Sequence, residues 1–159
     1  MENDVLEDQD YKLWVRLHQA RDVIFRARDK ELSRYSITAM QAAVLFIVKA
    51  LKATEGEATP GKVSRWLLRE PHTVSRILTR MENEGLVSKI RGSGKKNKIN
   101  VTLTEKGEQA YRQSLKRESI KEIMSCLSEE ERQQLDSSLE KLRDKALEKL
   151  SAPSKVPFP

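Results

Sequence analysis

The amino-acid sequence predicts a mainly α-helical fold that carries one small β-hairpin. Three observations support this prediction. Apolar residues repeat at helical spacing over most of the 159 residues, and typical helix-starting residues precede several of these segments. Two short β-prone runs, 86–90 and 99–103, flank a basic loop that contains glycine. Hydrophobic residues are only 38% of the chain, so we expect helices that bury one stripe each, or a core completed by a second copy.

The first half of the chain is predicted to contain four helices. Residues 8–35 carry a continuous apolar stripe at helical spacing. A capping box then begins the second helix, because Thr38 and Gln41 can each bond the other's backbone N–H. Two short helices follow, and the tight connection between them makes a helix-turn-helix unit. Pro60 and Pro71 stand at their first helical positions, where the missing N–H of proline costs nothing.

The second half is predicted to continue with the hairpin and two long helices. Gly85 ends the fourth helix, as a glycine after a helix commonly does. A fifth helix is predicted without interruption from the cap Thr104 to about Leu127. A second capping box at Ser128 and Glu131 begins a sixth helix. Its apolar residues repeat in alternating steps close to a coiled-coil seam: Leu135, Leu139, Leu142, Ala146 and Leu150.

The composition excludes several classes of protein. The single cysteine, Cys126, has no partner for an internal disulfide, and two histidines offer little for a metal cluster. No apolar run reaches the roughly 18 residues that a membrane span needs, and the acidic first ten residues do not resemble a secretory signal. A nucleophile–base pair and a phosphate-cradling glycine motif are also lacking. We therefore expect a cytoplasmic protein that is not an enzyme and has no cofactor, no metal and no membrane partner.

Positive charge is concentrated in the middle of the chain. The net charge is +6, but segment 60–103 alone holds ten basic residues against three acidic ones, while the first ten residues hold five acids and no base. A basic segment within an otherwise balanced chain is typical of a protein that binds a polyanion. From charge alone, a solvated basic face without a partner is an equal alternative.

The order of these elements resembles that of the MarR family of bacterial transcriptional regulators. The resemblance runs from about residue 38 to 107. Segment 72–87 is similar to the family's recognition helix and the start of its wing, and segment 101–107 is similar to the family's post-wing signature. The resemblance implies a winged helix-turn-helix with terminal dimerisation helices. In this single domain, 1–159, the implied parts are dimerisation helices 8–35 and 104–151, a DNA-binding lobe 36–103 and a tail 152–159.

The resemblance also implies a function. Such a protein binds double-stranded DNA as a homodimer, usually represses transcription, and is often released by a small-molecule effector. The recognition helix is expected in the major groove and the basic wing at the flanking minor groove, over an inverted repeat with half-sites about one helical turn apart. The alternative is a winged-helix protein–protein interaction module of a larger complex, whose basic face is incidental.

Eight residues are predicted to contact DNA. Arg76 lies near the start of the recognition helix and can contact guanine in a bidentate manner, whereas Arg80 is expected to reach phosphate. The family's wing usually carries an Asp-x-Arg-type element at its tip, and here the tip is Gly92-Ser-Gly-Lys-Lys-Asn97. Lysine is a point charge, so we expect a looser phosphate contact there. The predicted set is His72, Thr73, Ser75, Arg76, Arg80, Arg91, Lys95 and Lys96.

Several of these residues also have ordinary structural interpretations. Thr73 and Ser75 can bond their own backbone at the helix start, and His72 can simply be solvated. Trp66 is expected in the core rather than stacked on a base. Cys126 stands among apolar residues near the end of the fifth helix, so a buried structural thiol is favoured over a redox sensor.

Overall fold

The computed structural model describes residues 7–92 and 97–150. Over these residues the chain forms seven helices and one two-stranded antiparallel sheet, which confirms the predicted fold class. No helix in the described part of the chain is long and apolar enough to cross a membrane. The elements are α1 (Gln9–Ser33), α2 (Ala39–Glu55), α3 (Pro60–Leu67), α4 (Pro71–Asn83), β1 (Val87–Arg91), β2 (Ile99–Leu103), α5 (Glu105–Ser114), α6 (Glu118–Met124) and α7 (Glu129–Lys149).

Capping interactions at the helix starts follow the sequence pattern. At α2, Thr38 Oγ1 accepts the Gln41 N–H at 3.1 Å and Gln41 Oε1 accepts the Thr38 N–H at 2.9 Å. The same pair of bonds joins Ser128 and Glu131 at the start of α7, at 2.8 and 3.2 Å. Thr59 caps α3 by accepting the Lys62 N–H at 3.3 Å. Both capping boxes and the start of α3 are therefore confirmed.

The hydrophobic core lies where α2, α3, α4 and the hairpin meet. Each fully buried aliphatic side chain contributes about 1.5–3 kcal/mol, so this cluster fixes how α3 and α4 are oriented. Trp66 packs partly buried against it, as expected for a core residue. The large side chains that are fully buried in this region are Val44, Leu45, Val48, Leu51, Val63, Val74, Leu78, Met81, Val87 and Val101.

The hairpin is anchored to the helical core by two hydrogen bonds at Ala58. Its register pairs Val87 with Leu103, and the first strand is one residue later than the predicted 86–90. The loop before α3 bonds the second strand, because the Val101 N–H donates to the Ala58 carbonyl at 2.7 Å and the Ala58 N–H donates to Asn100 Oδ1 at 3.0 Å. These bonds hold the base of the wing beside α3 and α4.

The predicted continuous fifth helix is wrong. The segment forms two helices, because α5 ends at Ser114 and α6 begins at Glu118, with Arg117 in the left-handed region at φ +53°. That conformation interrupts the helical hydrogen-bond ladder, and the side chain of Glu31 on α1 accepts the N–H groups of Glu118 and Ser119 at the new start. The apolar spacing continues across the break, so periodicity could not reveal it.

The predicted burial of Cys126 is also wrong, because this residue is exposed. It lies in the turn between α6 and α7, and its N–H donates to the Ile123 carbonyl at 3.4 Å. Its apolar sequence neighbours are themselves only half-buried.

Candidate nucleic-acid interface

Helix α4 presents one buried face and one exposed polar face. Its buried side chains are Val74, Leu78 and Met81. The other face carries predicted DNA-contact residues at successive helical turns. Of these, His72, Ser75, Arg76 and Arg80 are exposed, and Thr73 is half-buried beside them.

The start of α4 is open to an anion. Pro71 is the first helical residue, and the preceding Glu70 makes no side-chain capping hydrogen bond. The first N–H groups of a helix lack intrahelical partners and carry a partial positive charge. An approaching phosphate would therefore meet both the helix terminus and the nearby basic side chains.

The two arginines of α4 differ in how firmly they are held. Arg80 Nε donates to Glu84 Oε1 at 2.8 Å, although 74% of the Arg80 side chain is exposed. The Arg80 guanidinium lowers the pKa of Glu84, burial opposes this, and a hydrogen bond from Gln41 lowers it further. Arg76 forms no ion pair with any other described residue. Arg76 is thus the freer of the two to reach a base.

The base of the wing is tied to α4. Lys89 Nζ on β1 donates to Thr79 Oγ1 on α4 at 2.8 Å, and it lies 3.5 Å from Glu82 Oε2. Arg91 is exposed at the end of the same strand. The predicted contact residues Lys95 and Lys96 lie outside the described residues.

Several basic residues of the middle segment have carboxylate partners. Lys62 Nζ lies 2.8 Å from Glu55 Oε2 and 3.1 Å from Glu57 Oε1, and Lys98 also pairs with Glu57. The hydrogen bond that Lys62 donates to Glu57 lowers the pKa of Glu57, and the hydrogen bond that Lys62 donates to Glu55 raises the pKa of Lys62. These pairs cancel part of the positive charge on this side of α3.

Other arginines of segment 60–103 form no such pair with a described residue. Arg65, on α3, lines a groove of about 660 Å³ between that helix and the wing. Arg69 is exposed in the turn before α4. Neither was among the sequence-predicted contact residues, although both belong to the basic segment. Among the described residues of segment 60–103, the arginines that form no ion pair are Arg65, Arg69, Arg76 and Arg91.

The terminal helices expose large apolar side chains. On α1, Trp14 stacks on Tyr11 with ring centroids 5.7 Å apart and lies 4.4 Å from His18 on its other side. All three are exposed within one chain. The exposed aliphatic side chains of these helices are Leu13, Leu17 and Val23 on α1 and Leu135, Leu139 and Leu142 on α7, with Leu150 at the end of α7.

A mainly apolar cavity of about 290 Å³ lies between α1, α2 and the α5–α6 break. Two cationic side chains, Arg28 and Arg117, line it together with aromatic and aliphatic groups. The Arg117 guanidinium lies 5.6 Å from the centre of the Phe46 ring. In residues 7–92 and 97–150 no three metal-binding side chains come together.

The chain is similar to solved transcriptional regulators. The organohalide-sensing transcriptional regulator RdhR, in its form with bound 2,4-dichlorophenol, is 31% identical over 96% of this chain and 90% of that chain, with a TM-score of 0.84. A cysteine-to-serine variant of E. coli MarR complexed with operator DNA is 22% identical over 85% and 96% of the two chains, with a TM-score of 0.76. The S. aureus MepR–DNA complex is 24% identical over 87% and 96%, with a TM-score of 0.69. No family profile and no curated relative matches the chain.

Proposed function

The chain belongs to the MarR family of winged helix-turn-helix transcriptional regulators, and on that premise we propose that it is a repressor that binds a specific DNA operator as a homodimer. It would act on DNA in the cytoplasm and catalyse no reaction. The observation that carries this proposal is the exposed face of α4, where Arg76 stands free of any described carboxylate. In this arrangement α4 enters the major groove and Arg76 reads a base.

The remaining basic residues are suited to phosphate contacts. Arg80 is held by Glu84 and is better placed for the DNA backbone than for a base edge. The bond from Lys89 to Thr79 keeps the wing aligned with α4, so Arg91 and the tip lysines Lys95 and Lys96 would approach the flanking minor groove. Contacts of this kind position the protein on any duplex and add little sequence preference.

The exposed apolar faces of the terminal helices support the homodimer. Single exposed apolar residues are ordinary, but contiguous apolar patches mark interaction surfaces. Leu135, Leu139 and Leu142 lie along one side of α7 and are each at least 40% exposed in the single chain. A two-fold dimer through these helices would present two α4 helices to an inverted repeat whose half-sites are about 34–36 Å apart.

The cavity beside α1 and α2 supports control by a small-molecule effector. Ligand cavities span roughly 300–1,000 Å³, and the volume of about 290 Å³ lies at the lower end of this range. The cavity therefore suits a small occupant of about one aromatic ring. The apolar lining and the guanidinium of Arg117 favour a weakly acidic aromatic compound, and the similar regulator RdhR has been solved with 2,4-dichlorophenol bound. We propose that such a compound weakens operator binding.

The proposal is tested by comparing Arg76→Ala with a matched charge change elsewhere. The control is Arg112→Ala, which removes an exposed arginine of α5, outside the basic segment. An operator is first selected from a random duplex library with the wild-type protein, and binding to it and to a scrambled duplex is then measured for all three proteins. A bidentate base contact contributes about 1–3 kcal/mol of discrimination, and a dimer loses two of them. We expect Arg76→Ala alone to lose this discrimination.

Two results would contradict the proposal. If Arg76→Ala discriminates as well as wild type, α4 does not read the operator through this residue. If the wild-type protein selects no sequence and shows no salt-dependent affinity for DNA, the alternative of a winged-helix protein–protein module is favoured instead.

A further inference from the structure

The break between α5 and α6 joins two layers of the molecule. Helix α5 packs against α2 and β2, which belong to the DNA-binding lobe, whereas α6 packs against α1. Residues 115–117 are therefore the point at which the chain leaves the lobe and enters the layer of terminal helices. The angle at this joint, together with the contacts between α1 and α2, sets where the lobe stands relative to the dimerisation helices.

One turn of α1 forms hydrogen bonds with both the end of α5 and the start of α6. Arg28 Nη2 donates to the Ser114 carbonyl at the end of α5, at 2.6 Å, and Arg28 Nη1 donates to Glu31 Oε2 at 2.7 Å. Glu31 in turn accepts the Glu118 and Ser119 N–H groups at the start of α6, at 2.9 and 3.1 Å, and the Ser119 hydroxyl. We call these contacts the Arg28–Glu31 clasp.

The clasp is buried and every group in it is paired. Arg28 is 9% exposed and Glu31 7% exposed, and buried charges are costly unless they are paired and hydrogen-bonded. Burial raises the pKa of Glu31, but the hydrogen bonds from Ser119, Arg28 and the backbone outweigh it and bring the pKa down to about 2. Glu31 is therefore ionised at neutral pH, and its negative charge lies at the positive end of α6.

We propose that Arg28 and Glu31 are positioning residues for operator binding: through the clasp they fix the spacing between the two reading lobes of the dimer. This inference rests on the proposed function. Neither residue lies on the basic face, because both are on α1 and point to the α5–α6 break. Their effect on DNA is transmitted through the joint.

A loosened joint has a specific consequence for a dimer on DNA. Once one lobe has bound its half-site, the second binds with an effective concentration that depends on how well the geometry matches the spacing. With a rigid joint, the effective concentration of the second lobe is high at one half-site spacing only. With a loose joint, this effective concentration falls at that spacing and rises, in relative terms, at neighbouring spacings.

The test measures the preference for half-site spacing. An operator selected with the wild-type dimer is remade with the central spacer lengthened or shortened by one or two base pairs, and binding of each duplex is measured with wild type, Glu31→Gln and Ser119→Ala. The control is Arg34→Met. Arg34 also reaches α6, through Glu118 at 3.6 Å, but in an exposed pair that contributes little, and its other bond, at 3.0 Å, goes to the backbone carbonyl of Glu31 and not to the carboxylate.

We expect Glu31→Gln to bind the operator selected with the wild type about tenfold more weakly than the wild type does, which is within the usual range of coupling between sites. The difference in affinity between operators of different spacing should shrink by a similar factor. Ser119→Ala should lower the operator affinity and the difference in affinity between spacings as well, but by smaller factors than Glu31→Gln does. Arg34→Met should keep the wild-type spacing profile. Circular dichroism at the assay temperature establishes that each variant is folded.

Three results would overturn the inference. One is a folded Glu31→Gln protein that loses affinity equally at every spacing, since that is the mark of a merely structural residue. If Glu31→Gln does not fold, the second such result is that Ser119→Ala shows the same preference for half-site spacing as the wild type. The third is a wild-type protein that selects no operator, in which case the proposed function fails and the inference with it.

Discussion

We expect Gly107→Ala to destabilise the protein, although alanine forms helices better than glycine. Gly107 is buried in the first turn of α5, against the chain that leads into the hairpin. A Cβ at this position would overlap the Leu86 carbonyl oxygen and lie 3.0 Å from the Leu86 carbonyl carbon. That carbonyl cannot retreat easily, because it accepts the Thr104 N–H at 3.1 Å and immediately precedes β1.

The size of the effect follows from these contacts. Forcing an extra methyl group into a packed site costs about 1–3 kcal/mol, and the obstacle here is backbone rather than a flexible side chain. The higher helix propensity of alanine stabilises the folded state by at most about 1 kcal/mol relative to glycine. Because the overlap is with backbone, the cost falls at the upper end of that range, so we expect a net loss of about 2 kcal/mol, which for a chain of this length lowers the Tm by roughly 4–8 °C.

The matched control is Gly61→Ala, a substitution in α3 with no atom within 4 Å of the added Cβ. It should leave the free energy of unfolding unchanged or raise it by up to about 1 kcal/mol. Urea and thermal unfolding are compared at one protein concentration, because dimerisation makes the Tm depend on concentration. The reasoning is refuted if Gly107→Ala is as stable as wild type, or if Gly61→Ala loses as much.

Three further predictions concern acid stability, assembly and the wing. The folded-state pKa of Glu31 is about 2, below its ordinary 4.5, so its stabilisation is present above pH 4.5 and is lost as the pH falls toward 2. Wild type should exceed Glu31→Gln by at most about 3 kcal/mol in unfolding free energy at neutral pH, and an undiminished gap near pH 2 would contradict this. Leu135→Glu with Leu139→Glu should convert a dimer to a monomer in analytical ultracentrifugation, whereas a wild-type monomer at micromolar concentration would exclude the dimer. Lys95→Ala with Lys96→Ala should flatten the dependence of log affinity on log salt by up to about two units per subunit and leave the preference among operators unchanged; a changed preference would mean that the wing reads sequence.

The sequence alone determined the features that short stretches of chain encode. The capping pair Thr38 and Gln41 lies three residues apart, so one turn of helix decides the interaction. Gly85 ends α4 at φ +73°, a conformation that glycine adopts without strain. The exposed face of α4 followed from the spacing of its apolar residues, because a helix fixes which side chains share a face. The same spacing is sufficient to place Arg76 on that exposed face.

Only the tertiary structure decided the features that depend on residues far apart in the chain. The break before α6 is stabilised by Glu31, which lies 87 residues from Glu118 in the sequence, and nothing local to 115–117 indicates it. Arg80 and Glu84 are one helical turn apart, but the second partner of Glu84 is Gln41 on α2, 43 residues away in the sequence. The periodicity of apolar residues indicates which side chains of one element are buried. The position of a break and the hydrogen-bond partners of a charge are set by the surface that another element brings to it, and for that reason they emerge only when the elements pack.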